Sequence, residues 1–153
     1  MRNKKQVVLA AAGVAAMFAM TGCESMDTID STKIERDGIA CPVASLPVNA
    51  VFIDIVYAAD GMPSVRGPQE CQVYSGTKIT WRTVRGETRP FRLVFKKEHP
   101  AEDDGKRDRG RIDGDRFKYT VVTEKVTART AYTYGIIANG HEVDPVVIID
   151  PPK

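Results

Sequence analysis

Histidine is scarce in this chain. His99 and His141 are the only two in 153 residues, and there is one Trp. Neither His stands at finger-like spacing from a Cys, which argues against a structural zinc site. The three Cys, at 23, 41 and 71, include no C-x-x-C pair, so a thioredoxin-like redox motif is excluded. Ser45 and Ser75 lie in no recognisable nucleophile setting, and neither His belongs to a known triad motif. Asp103-Asp104 are surrounded by charge, with no apolar pocket implied to raise a carboxyl pKa. These absences lead us to expect no enzyme and no cofactor. A strong net charge is also missing: the formal value is +2. Setting aside Arg2, Lys4 and Lys5, which belong to a segment expected to be removed, leaves 19 bases against 20 acids, a net of about −1. Net charge therefore offers no support for nucleic-acid binding.

What is present begins at the N-terminus. Arg2, Lys4 and Lys5 form a positive region, and residues 7–20 are an uncharged, mostly apolar run. Thr21-Gly22 then places small residues just before Cys23. This is the layout of a secretory signal peptide, and the run is short of the roughly 20 apolar residues of a comfortable membrane span. Met20-Thr21-Gly22-Cys23 resembles a lipobox, the cleavage and lipidation motif of bacterial lipoproteins, with Met20 where Leu is usual. The resemblance implies cleavage after Gly22, a diacylglyceryl group on the Cys23 thiol, and acylation of the new amine. It also implies a membrane partner through that lipid. Glu24, rather than Asp, follows the lipidated residue, which points to the outer membrane, facing the periplasm.

With Cys23 taken by lipid, Cys41 and Cys71 remain. An even pair in an oxidising compartment reads as a structural disulfide. Residues 1–22 are thus expected to be signal peptide, 23–47 a lipidated N-terminus and polar tether, and 48–153 the folded domain. Within 48–153 apolar side chains recur at every second position. Val51, Ile53, Ile55 and Tyr57 form one set, and Ile79, Trp81 and Thr83 another. Phe91, Leu93 and Phe95 follow, then Phe117, Tyr119 and Val121, then Tyr132, Tyr134, Ile136 and Ala138. Period two is the signature of strands buried on one face. Asn139-Gly140 is a strong hairpin signal, because both residues tolerate positive φ. About seven short strands separated by turns, with no amphipathic helix, predict a single all-β Ig-like or cupredoxin-like sandwich. Trp81 and the alternating Tyr residues read as core. The run 96–116 carries seven bases and seven acids and reads as a solvated loop. Asp113-Gly114-Asp115 within it is only a fragment of a calcium-loop pattern.

Ser75-Gly76-Thr77-Lys78-Ile79-Thr80-Trp81 is similar to the G-x-x-V-x-W strand of cupredoxin-like domains, and residues 132–149 resemble their closing hairpin. Copper-binding members need a Cys and a His together in the loop before the last strand. Here residues 139–145 hold His141 without a Cys or Met, so the resemblance implies a copper-free member and no metal ligands. The expected function is a non-catalytic, lipid-anchored envelope protein, a binding or structural module whose partner is a protein or another envelope component. The rival reading is a periplasmic copper carrier using His99, His141 and Met62.

Overall fold

The computed structural model describes residues 38–101 and 110–153. Among them are eleven strands: β1 (Ile39–Ala40), β2 (Ala50–Tyr57), β3 (Pro63–Arg66), β4 (Glu70–Tyr74), β5 (Lys78–Thr83), β6 (Arg92–Phe95), β7 (Arg111–Asp113), β8 (Arg116–Val122), β9 (Thr130–Ala138), β10 (His141–Val143) and β11 (Val146–Asp150). They form two sheets. The first has the order β1-β2-β5-β8-β7, with β3 sharing the far edge of β2. The second has the order β10-β9-β11-β4, with β6 on the other edge of β9. This is the expected all-β sandwich. Its parallel pairs, β2 with β5 and β11 with β4, set it apart from a wholly antiparallel arrangement.

The alternating residues point inward as their spacing requires. Val51, Ile55, Ile79, Trp81, Leu93, Tyr134, Ile136, Val147 and Ile149 are almost completely buried between the sheets. Trp81 sits at the centre. Its ring meets Tyr134 at 5.4 Å, Tyr119 at 5.9 Å and Phe95 at 6.0 Å between centroids, within the range of favourable edge and tilted contacts. Its indole N–H makes no hydrogen bond of normal geometry, though it lies near enough to the Tyr134 hydroxyl to favour phenolate slightly. Burial outweighs this and holds Tyr134 protonated, above the usual phenol range.

The chain folds back at Asn139-Gly140, where φ is 51° and 79°, the two-residue hairpin turn that this dipeptide favours. Beyond it, β10 and β11 keep one continuous register along β9, interrupted only at Asp144-Pro145. The strand count exceeds the expected seven because β1, β3, β7 and β10 are only two to four residues long. Such lengths carry too few alternations to be read locally.

Two stretches read as non-regular join the fold. Ile39 and Ala40, assigned to the tether, pair parallel with Val51 and Phe52. Gly38 makes that entry feasible: its φ is +85°, and a Cβ there would lie 1.9 Å from the Ala50 carbonyl oxygen. The charged run 96–116 contributes β7, which pairs with β8 around Gly114, and Ala101, which bridges to Thr123.

Candidate functional site

Cys23, the expected lipidation residue, lies outside the described residues. Cys41 and Cys71 are joined in a disulfide, with Cα atoms 5.5 Å apart, inside the span that disulfide geometry allows. This bond ties the sheets together where the chain changes partner. The Cys41 amide donates to the Phe52 carbonyl in the first sheet, and the next carbonyl, Pro42, accepts from the Gln72 amide in the second.

The structure does not gather the metal ligands of the copper-carrier reading in one element. His99 is docked rather than free in a loop. Its Nδ1 accepts from the Ala101 amide at 3.1 Å, and its Nε2 is 2.9 Å from the Tyr119 hydroxyl. With Nδ1 as acceptor, Nε2 carries the proton. The ring stacks edge-on against Phe95 at 4.5 Å. His141 faces Ala138 in the second sheet, and Met62 lies in the turn before β3. Among the described residues, no group of three or more His, Cys, Asp or Glu could hold a metal ion. Asp113 pairs with Lys118 at 3.0 Å and Asp115 with Arg116 at 3.6 Å, so the calcium-like fragment is a charge-paired turn.

A different feature emerges from strand register. On the outer face of the first sheet, Arg66, Asp54, Arg82, Lys118 and Arg111 stand directly opposite one another across five successive strands. Arg66 and Arg111, at the two ends of this row, are exposed. Arg82 is held in place by Asp54, its Nε donating to Oδ1 at 2.6 Å, and its guanidinium lies over the Phe52 ring at 3.5 Å. Lys78 and Arg116 lie on the same face in neighbouring rows. The face therefore carries six cations, of which Arg82, Lys118 and Arg116 are paired with Asp54, Asp113 and Asp115. Sequence reading missed it because the cations are spread over four strands and no run of bases announces them.

The outer face of the second sheet has a different character. Lys96 there binds Glu142 and, at 3.1 Å, Asp144. Asp150 Oδ2 accepts from Ser45 Oγ and Gln72 Nε2, both at 2.7 Å, and these hydrogen bonds hold its carboxyl below the ordinary range. At the sandwich end, Pro90, Phe91, Arg92, Gly110, Ile137 and Asn139 line an open hollow of about 440 Å³.

Beside that hollow, Arg89 grips Glu87 through two side-chain bonds and stacks on Tyr57 at 4.4 Å. Burial raises the Tyr57 hydroxyl to about 12, and the Arg89 bonds lower Glu87 to about 2. A depressed carboxyl stabilises the fold above its unfolded pKa, and that contribution is lost as pH falls through the folded value. Glu87→Gln is therefore expected to lower the urea midpoint slightly at neutral pH and to match the parent near pH 2. A constant difference from pH 7 down to pH 2 would show that Glu87 acts through packing instead.

No protein-family model and no curated protein matches the chain. Among solved structures it is similar to the 2F4 variant of the multicopper oxidase McoA from the hyperthermophile Aquifex aeolicus, at a TM-score of 0.40 and 13% identity. The similarity covers 74% of this chain and 30% of that one, so the chain spans under a third of the oxidase's length.

Proposed function

We propose that the protein is a lipid-anchored, non-catalytic envelope module, which holds a rigid β-sandwich close to a bilayer and presents one of its faces there. The observation that carries this reading is how the chain enters the fold. Immediately after the stretch that follows Cys23, β1 pairs with β2, and the Cys41–Cys71 disulfide then fastens the same segment to β4. A pull on the N-terminus is thereby shared between both sheets rather than peeling a single edge strand. That suits a domain whose N-terminus is its attachment point. The intervening residues 24–37 span at most about 50 Å when extended, so the domain stays near the surface that holds the lipid.

The test is labelling. Cells grown with labelled palmitate should incorporate it into the parent, while Cys23→Ala should lose the label and leave the membrane fraction. Equal labelling of parent and variant would refute the anchor.

A further inference from the structure

We infer that the basic outer face of the first sheet docks on the anionic lipid headgroups of the bilayer to which the chain is tethered. This rests on the anchoring reading above. Three observations converge on one occupant. The first is charge: four cations of this face, on β3, β5, β8 and β7, line up in a row interrupted only by Asp54 of β2, and Arg66 and Arg111 at its ends are exposed. The second is that the row crosses an open sheet face, a surface suited to many phosphates rather than to one enclosed ligand. The third is attachment. The tether joins the same sheet through β1, and its length keeps the face within reach of the bilayer.

The arrangement also sets orientation. Asp54 and Phe52 hold the Arg82 guanidinium in place at the middle of the row, so this cation is ordered before it meets a phosphate. On the opposite face Lys96 sits between Glu142 and Asp144, and Arg129 beside Asp150 and Gln72, so these cations are held among acids and its field does not favour the same surface. A Lys or Arg near an anionic leaflet contributes about 1 kcal/mol of attraction, and several acting together bias a tethered domain strongly toward one orientation.

The experiment uses residues 24–153, which hold both sheets and the disulfide but lack the lipidated Cys. Flotation is measured with vesicles of phosphatidylcholine alone and of equal parts phosphatidylcholine and phosphatidylglycerol. Binding is expected only to the anionic vesicles, and it should weaken as salt is raised. The double variant Arg66→Glu/Arg111→Glu, with both sites exposed, should lower the bound fraction at least about tenfold. Lys125→Glu/Lys153→Glu changes net charge equally at exposed positions outside the row and should keep binding. An intact disulfide and an unchanged near-ultraviolet spectrum confirm that each variant is folded.

Failure to bind anionic vesicles at low salt would overturn the inference, as would equal losses in both double variants. Cross-linking of Arg66 or Arg111 sites to an envelope protein, without vesicle binding, would also overturn it and assign the face to a protein partner. The two readings fail separately. A chain labelled at Cys23 that ignores anionic vesicles loses only the docking, and an unlabelled chain that binds them loses only the anchor.

Discussion

Replacing Cys41 and Cys71 together by Ala is expected to lower unfolding stability by roughly 3.6 kcal/mol. The bond closes a loop of 30 residues. In the chain-entropy treatment, a cross-link of that span removes about this much conformational freedom from the unfolded chain. A native-state effect adds to it. Cys71 is 3% exposed and packs in the core, and the segment carrying Cys41 is the one that passes between the sheets. Without the bond, the two-residue β1 keeps only its short pairing with β2. The midpoint of thermal unfolding should fall by about 10–15 °C. Urea unfolding of oxidised parent, reduced parent and double variant measures this, and the last two should coincide. A loss under about 1 kcal/mol, or two free thiols in the protein recovered from cells, would show that the bond does not hold the native fold together.

Trp81→Ala is expected to cost 3–5 kcal/mol, the usual range for removing a large buried aromatic. Trp81 is fully buried, and three rings pack around it within about 6 Å. No backbone shift of either sheet can close the space without breaking the β2–β5–β8 pairing that fixes the strand. Trp81→Phe should cost clearly less, because it keeps the ring contacts and gives up an N–H that makes no normal hydrogen bond. Comparing urea midpoints of the two variants decides this. Equal losses would mean that the indole N–H, rather than the volume, matters at this site. Cys71 and Trp81 face one common core from different sheets, so their effects are expected to add only approximately. A combined loss of about 7–8 kcal/mol is comparable to the whole stability of a typical domain. The triple variant is therefore expected to be unfolded at 25 °C.

Much of the sandwich is written in local sequence. Ile79-Thr80-Trp81-Arg82-Thr83 alternates because successive side chains of a strand face opposite ways, and the inward set Ile79, Trp81 and Thr83 is buried; Thr80, on the other face, is buried too, beside Thr120, which alternation does not foretell. Asn139-Gly140 specifies its turn because two adjacent positive φ angles are cheap only for such residues. With Cys23 assigned to lipid, two Cys allow a single pairing. These signals act within a few residues of the chain, so they can be read without knowing what lies across the sheet. The lipobox-like Met20 to Cys23 is equally local, and it rests on sequence alone because it lies outside the described residues.

Tertiary structure decided what depends on partners distant in sequence. Nothing near Ala50 indicates that β2 runs parallel to β5, or that Asp54 falls opposite Arg82 rather than one residue away. A one-residue slip would turn every inward side chain outward, so register is chosen by the whole core at once. The basic row exists only because that choice aligns Arg66, Arg82, Lys118 and Arg111, residues spread over 53 positions of the chain. His99 likewise reads as part of a charged loop until Tyr119, 20 residues on, and Phe95 take hold of its ring. By itself the sequence determined seven of the eleven described strands, where the chain turns back at Asn139-Gly140 and, with Cys23 set aside, which cysteines pair, because period-two burial and turn geometry are properties of neighbours. Only the folded sheets decided which charges share a face, because that follows from how remote strands align while burying a common core.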